Sequence, residues 1–474
     1  MKTRKRALWS LVILLLIVMT TAACSSGNNK GGNTKNEPVA PADTSANTKG
    51  EGNKAEGEGD KTDPPAAESN DPVTLRMVVW GPPLWTETIP AKFQEKYPNI
   101  TLKVEKIDGG DNASVLEKIT ALSAAGTPAD LTWIPAIPGF MKDDLLVDLG
   151  PYMETDPVLS KAQFSDSVLD VMKWKGNLVA LPRAMDAYFM FVNKDLLAKH
   201  GMDMPTKDWT WDEFREMAKK ATDPNAGEYG IAPGVFNYQA QAQAYAVSNG
   251  LAPNLSFMDE NWNQSLLTDP KVLSAVQWVA DLGWVDGSRP NDEQSTKAGV
   301  DPAGWGSWVT GKFAFDIMGQ WEGASRKEAA KFDWDLLPLP KGTVSQAGYN
   351  GISPMGILKG SPNVDAAVKF LSWLVSEDGQ RVLMSDGNIP LTSDPQMWDE
   401  LTQIETWKGK NIKDAVTQEC CMNRTLIGEE KYINWFDGEI GGIIKNGGDL
   451  SIFQRKATEF NTYTTQLRKE LGLE

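Results

Sequence analysis

Strand-like and helix-like spacings of apolar residues succeed one another from residue 73 onward. Residues 73–80 (Val-Thr-Leu-Arg-Met-Val-Val-Trp) read as a strand stopped by Gly81-Pro82-Pro83. Ile89, Phe93 and Tyr97 then share one helical face, and residues 100–107 read as the next strand. Val115, Ile119 and Leu122, at i, i+4 and i+7, predict a helix over 115–125, ahead of a short strand at 131–134. This β-α-β-α-β order predicts a parallel sheet with helices on its faces, where ligands bind beyond the carboxyl ends of the strands.

The alternation continues. Residues 178–182 and 188–192 read as extended. Thr210 and Glu213 form a capping box, each able to satisfy the other's free backbone N–H, and Phe214, Met217, Ala218 and Ala221 give that helix a buried face. Residues 313–318 and 334–339 predict strands, and Ala367, Phe370, Leu371, Leu374 and Val375 an amphipathic helix. From Asp394 the chain reads as helical with weaker periodicity. Residues 25–72 contain no aromatic residue, no Leu and no Ile, and cannot bury enough apolar surface to fold. As a flexible tether they would span about 40 Å.

The start of the chain sets the compartment. Lys2, Arg4, Lys5 and Arg6 precede an almost wholly apolar run over 7–20, shorter than the roughly 20 residues a membrane-spanning helix needs. The run ends in Thr21-Ala22-Ala23-Cys24. This resembles the bacterial lipobox, apart from Thr21 where an aliphatic residue is usual. The resemblance implies a signal peptide over 1–23 and a lipid on Cys24; ordinary cleavage beside an incidental cysteine is the alternative. Cys420 and Cys421 are adjacent and cannot staple distant segments; they are either two buried thiols or a strained vicinal disulfide. A formal charge of -16 argues against nucleic acid or an anionic membrane as the main partner. With His200 the only histidine, a His-based metal site or a Ser-His-Asp triad is excluded in practice, and no cofactor is expected.

Four stretches, in order, carry a family likeness. They are Pro182-Arg183-Ala184-Met185-Asp186 with Asn193-Lys194-Asp195-Leu196-Leu197 and Trp209-Thr210-Trp211-Asp212-Glu213-Phe214; Gly311-Lys312-Phe313-Ala314-Phe315 leading to Met318-Gly319-Gln320-Trp321; residues 334–342; and residues 366–380, ending near Asn388-Ile389-Pro390. Together they resemble the maltose-binding-like branch of the bacterial extracellular solute-binding proteins. The resemblance implies an α/β, two-lobed, periplasmic-binding-protein-like (type II) fold, each lobe a mainly parallel sheet flanked by helices, with the ligand cleft between lobes. By analogy lobe 1 holds 73–187 with 341–393, lobe 2 holds 188–340 with 394–474, and residues 24–72 are the tether. It also implies a monomeric, non-enzymatic receptor on the extracellular face of the cytoplasmic membrane. Such a receptor closes on a carbohydrate, here an oligosaccharide, and delivers it to the permease subunits of an ABC transporter.

A pyranose has apolar C–H faces and a rim of hydroxyls, so its site needs flat aromatic surfaces and planar polar groups. The 18 Trp against 9 Tyr supply the surfaces. Trp321 matches the family's stacking Trp after a Gly-x-Trp turn; a core Trp is the alternative. Asp186 matches an acidic sugar-binding position on a crossing strand, and Arg183 beside it is a second contact or the partner in a hinge salt bridge. Trp80 and Trp85 flank the turn after the first strand, where the sheet rule puts ligand. Asp111, in the turn over 108–112, offers rim contacts or is merely solvated. Tyr238 and Gln241 lie where the family's second lobe presents a sugar-contacting loop, and Tyr349 and Asn350 in the return after Lys341-Gly342. Trp209, Trp211, Trp305 and Trp308 read as packing. Two other readings stay open: a surface glycoside hydrolase working with two carboxylates about 5–10 Å apart, and the same fold binding a non-sugar solute.

Overall fold

The computed structural model describes residues 71–473, apart from 108–111, 163, 235, 304–305, 393, 417–419, 423–425, 429–430 and 432–440. β1 (Val73–Val79) and β2 (Ile100–Lys106) pair in parallel along their length, and β3 (Leu131–Trp133) lies parallel on the other side of β1. The crossovers are the helices Ile89–Lys96 and Asn112–Ala124, which turn Ile89, Phe93 and Val115 into the core against Leu75 and Met77. A short hairpin, β4 (Lys173–Trp174) and β5 (Asn177–Leu178), leads into β6 (Leu181–Asn193).

β6 is one strand of 13 residues, where the sequence suggested separate extended segments. Its ends are apolar because they lie in different cores: Leu181 packs in one cluster, and Phe189 and Phe191 in another. Of its middle, residues 182–186, only Met185 lies against either cluster, and polar residues interrupt the pattern there. β7 (Tyr229–Ile231) and β8 (Phe313–Gly319) are parallel to each other, while β8 and β9 (Trp334–Leu337) run antiparallel to β6. β10 (Ala347–Ile357) is antiparallel to both β3 and β6, and β11 (Cys420–Met422) lies parallel to β10. The result is one nine-stranded sheet in the order β2-β1-β3-β10-β6-β8-β7, with β11 paired to β10 and β9 to β6.

One apolar core is drawn from residues 75–181 and 355–383, with Phe93, Phe140, Phe370 and Leu371 at its centre. The remaining clusters are drawn from residues 187–460. β6 and β10 pass from one set to the other. Beyond Asp394 come the helices Pro395–Leu401, Ile412–Val416, Gly441–Asn446 and Ile452–Glu470; β11 is an addition that no periodicity announced. Among the described residues no helix is long and apolar enough to cross a membrane.

The capping box forms as expected at the helix Trp211–Lys220: Thr210 Oγ1 accepts from Glu213 N at 3.2 Å, and Glu213 Oε2 accepts from Thr210 N at 2.7 Å. Trp209 and Trp211 are buried beneath it. The Trp209 ring packs against Phe214 and Phe315, and its Nε1 donates to Pro338 O at 2.9 Å. Trp209→Ala leaves a cavity there and strands that carbonyl. We expect a loss of about 3–5 kcal/mol in stability, read from denaturant unfolding of the ligand-free protein.

Candidate functional site

The pairing of β6 with β10 carries an irregularity that builds the site. Pro182 faces Pro354 in the register, and neither has an N–H to give the ladder. The register shifts at that point, because Ala184 pairs with Ser353 while Pro182 pairs with Pro354, leaving Arg183 as an extra residue. Such a bulge re-aims the side chains next to it. The displaced backbone is satisfied by side chains instead. Gln380 Nε2 donates to Arg183 O at 3.1 Å, and Gln380 Oε1 accepts from Leu391 N at 2.9 Å.

Arg183 and Asp186 meet at one hydroxyl. Arg183 Nη2 donates to Ser353 Oγ at 2.9 Å, and Ser353 Oγ donates to Asp186 Oδ2 at 2.5 Å. The direction is forced, since a guanidinium only donates and an ionised carboxylate only accepts. Gln320 Nε2 donates to the other oxygen, Oδ1, at 3.1 Å, and Gln320 Oε1 accepts from Ala187 N at 2.8 Å. The carboxylate is thereby fixed from β10 and from the turn that follows residue 319, and keeps lone pairs to spare. Burial lowers the basicity of the Arg183 guanidinium, and the charge of Asp186 works against that lowering. The guanidinium also lies over the Trp85 indole, 5.0 Å from the ring centroid, and Trp85 itself is buried.

Aromatic faces stand on either side. Gly319 ends β8 in register with Tyr188, and the turn Gln320–Glu322 follows. The Trp321 indole folds back onto Gly319 so closely that a Cβ at 319 would lie 2.2 Å from it. That close approach explains the glycine of the Gly-x-Trp sequence. Trp321 is 40% exposed and meets Tyr188 edge-on, with centroids 5.1 Å apart. At the other side Trp80 follows β1 and Trp133 closes β3. Their rings are 4.1 Å apart and tilted by 31°, and Trp80 is 38% exposed. The Nε1 of Trp133 is buried with no hydrogen-bond acceptor. Trp133 is in register with Met355, and Met355 with Leu181. From Leu181 to Tyr188 β6 runs about 23 Å at ~3.3 Å per residue, with Asp186 between.

The structure thus brings Arg183, Asp186 and Trp85 together and leaves Trp80 and Trp321 presenting open ring surface. Tyr238 and Gln241 need correction. They lie in the helix Phe236–Ser248, not in a loop, and both are buried. Tyr238 Oη donates to Pro233 O at 2.9 Å, and Gln241 Oε1 accepts from the buried Arg289 at 2.5 Å. The Arg289 guanidinium sits 4.6 Å from the Tyr238 ring centroid; burial pushes its pKa down to about 10 and raises that of Tyr238. These side chains are committed to the interior and offer no rim to a ligand.

Asn350 pairs with Ala187 across β6, and its Oδ1 is buried without a donor. Tyr349 pairs with Tyr188 through its backbone, while its side chain lies outside the described residues, as do Asp111, Trp305, Cys24 and the side chains of Cys420 and Cys421. Trp308 is fully buried. Sequence reasoning passed over Ser353, Gln320, Tyr188 and Trp133. For Trp133 a signal existed, because it ends a strand in the way Trp80 does; Gln320 stood unremarked as the middle residue of Gly-x-Trp. Among the described residues no group of His, Cys, Asp and Glu is arranged to hold a metal ion.

Comparison with known proteins gives the family. The model of the bacterial extracellular solute-binding proteins matches residues 82–381. The maltotriose-binding protein of Pyrococcus abyssi is 26% identical over 264 residues, 54% of this chain and about half, 52%, of that relative. An ABC substrate-binding protein from Listeria monocytogenes, solved in complex with cycloalternan, superposes with a TM-score of 0.69 at 18% identity, covering 85% of this chain and 100% of the other. UgpB from Mycobacterium tuberculosis, in complex with glycerophosphocholine, gives a TM-score of 0.65 at 16% identity, covering 83% and 98%. At such identities the solved neighbours speak for the fold alone, which is the two-lobed α/β fold of periplasmic binding proteins. With that fold and a family match across residues 82–381, this protein is a member of the bacterial extracellular solute-binding proteins.

Proposed function

We propose that the protein is a lipid-anchored receptor that takes an oligosaccharide into the cleft at Asp186 and delivers it to the permease of an ATP-driven importer. The observation that carries this reading is the fixed Asp186 carboxylate, held by Ser353 and Gln320 along β6 between the Trp80–Trp133 and Trp321–Tyr188 surfaces. Flat rings suit the C–H faces of sugar rings. A pre-held carboxylate suits their hydroxyls, since charge-assisted hydrogen bonds contribute about 1.5–3 kcal/mol each. The charge of Arg183 is balanced by Asp186 through Ser353, which favours a neutral ligand over an anionic one. Maltotriose and cycloalternan, in the names of the relatives, are both oligosaccharides. The glycerophosphocholine of UgpB is a reminder that the fold itself does not choose the ligand.

The same reading divides the chain into lobe 1 (73–187 with 341–393) and lobe 2 (188–340 with 394–474); the separate cores follow that division except at Ala187, Met384 and Ile389, which pack with residues of lobe 2. Residues 24–72 are the tether and Cys24 carries the lipid.

Calorimetry against a panel of linear and cyclic gluco-, manno- and xylo-oligosaccharides tests the ligand class; silence across the panel would sink it. Trp321→Ala should weaken the binding sugar by about 30- to 1000-fold and Asp186→Asn by about 10- to 100-fold. Because Trp321 is partly exposed, Trp321→Ala should not move the ligand-free thermal midpoint by more than a few degrees, whereas both changes should shrink the rise produced by sugar. A large ligand-free drop with unchanged affinity would assign Trp321 to the core.

Closure around the ligand should reduce the radius of gyration in small-angle scattering, and an unchanged radius at saturation would count against it. Cys24→Ser should release the protein from membranes into the medium; a variant that stays bound overturns the anchor.

A further inference from the structure

We infer that Gln320 is a positioning residue that locks the Asp186 carboxylate and the Trp321 indole into one unit before ligand arrives. The inference rests on the reading of Asp186 and Trp321 as ligand contacts. Gln320 is 1% exposed and stands between Gly319 and Trp321, in the turn that presents the indole. Its amide has one possible orientation. On one side Ala187 N can only donate, so Oε1 must face it; on the other Asp186 Oδ1 accepts from Nε2.

A single side chain therefore spends its acceptor on the backbone of β6 and its donor on the carboxylate of the residue before. Trp321 is fixed to the same turn from the other direction, by its contact with Gly319 and its edge-on packing against Tyr188. Tyr188 is next along β6 from Ala187. Carboxylate, indole and strand are thus closed into a small ring of contacts: Asp186 to Gln320, Gln320 to Trp321 through the chain, Trp321 to Tyr188, and back along β6. The turn cannot shift the indole without pulling the donor off Asp186. A carboxylate already held on both oxygens also has less rotational freedom to lose on binding. Gln380 ties down the same strand at Arg183 O but touches neither Asp186 nor Trp321, and it serves as the comparison.

Two variants separate the roles. Gln320→Leu removes donor and acceptor. Gln320→Glu keeps an acceptor for Ala187 N but sets a like charge against Asp186, which disfavours the arrangement. Amide hydrogen exchange of ligand-free protein and calorimetry with the tightest-binding panel oligosaccharide read them out. Gln320→Leu should speed exchange at Ala187 and weaken sugar binding, each by about tenfold or more. Gln320→Glu should leave Ala187 protected while weakening the sugar at least as much, a split that simple loss of packing would not produce. It also serves if Gln320→Leu does not fold. In a double-mutant cycle, Gln320→Leu should cost less affinity once Trp321→Ala is present, the remainder coming through Asp186, whereas Gln380→Leu and Trp321→Ala should add independently. Unchanged Ala187 exchange in Gln320→Leu, or full additivity with Trp321→Ala, overturns the inference. If Asp186→Asn and Trp321→Ala leave binding intact, the functional reading falls instead, and Ala187 exchange alone decides whether Gln320 holds the strand.

Discussion

The antiparallel ladder between β6 and β10 is the constraint from which the rest of the molecule is arranged. β6 passes between separately packed cores, and of its residues 182–186 only Met185 lies against either apolar cluster. Backbone groups there still need partners. Where Pro182 faces Pro354 and Arg183 is squeezed out of register, the ladder supplies none. A buried side-chain amide does: Gln380 takes the carbonyl of Arg183; farther along, where Ala187 is back in register with Asn350, Gln320 takes the N–H of Ala187. The polar residues of the candidate site are thus also the groups that complete the strand's hydrogen bonding.

That double duty explains what the sequence disclosed and what it withheld. The opening β-α-β-α-β run, the capping box at Thr210 and the helix Val364–Val375 were legible because each buries one face against one core, which leaves a period in the apolar residues. β6 was read in pieces because, of its Arg183–Asp186 stretch, only Met185 packs against a core. Tyr238 and Gln241 were placed in a loop by the family likeness, and no periodicity spoke for the helix Phe236–Ser248 that holds them. Its alternating Gln and Ala give no 3.6-residue contrast, although Ala is the strongest helix former. Within the site, Trp321, Asp186, Arg183, Trp80 and Trp85 stood next to strand ends or turns and were nominated by that position. Ser353 and Gln320 lie 167 and 134 residues from the Asp186 they bond, and no local pattern encodes such a pairing.

The fold and the ligand are separate questions in this family, and the chain illustrates why. Backbone topology places strand ends and a crossing strand around one region, whatever the ligand. Sugar, phosphodiester or other solute is then a matter of which side chains stand there. Here they are indoles, a guanidinium and a carboxylate joined through one hydroxyl, and hydrogen-bonding amides. Overall acidity and the absence of a second histidine narrow the chemistry without naming it.

The facing prolines have a mechanical consequence. A sheet resists bending through its rungs, and at Pro182–Pro354 neither residue can donate one. Both prolines fall within lobe 1 of the proposed division, a few residues short of the crossing at 187–188, so under closure that row would add give on the lobe 1 side of the joint. Part of the joint's compliance would then come from two residues outside the proposed ligand contacts. Selection could exchange the indoles or amides of the cleft for a new solute while the spring beneath them stays the same.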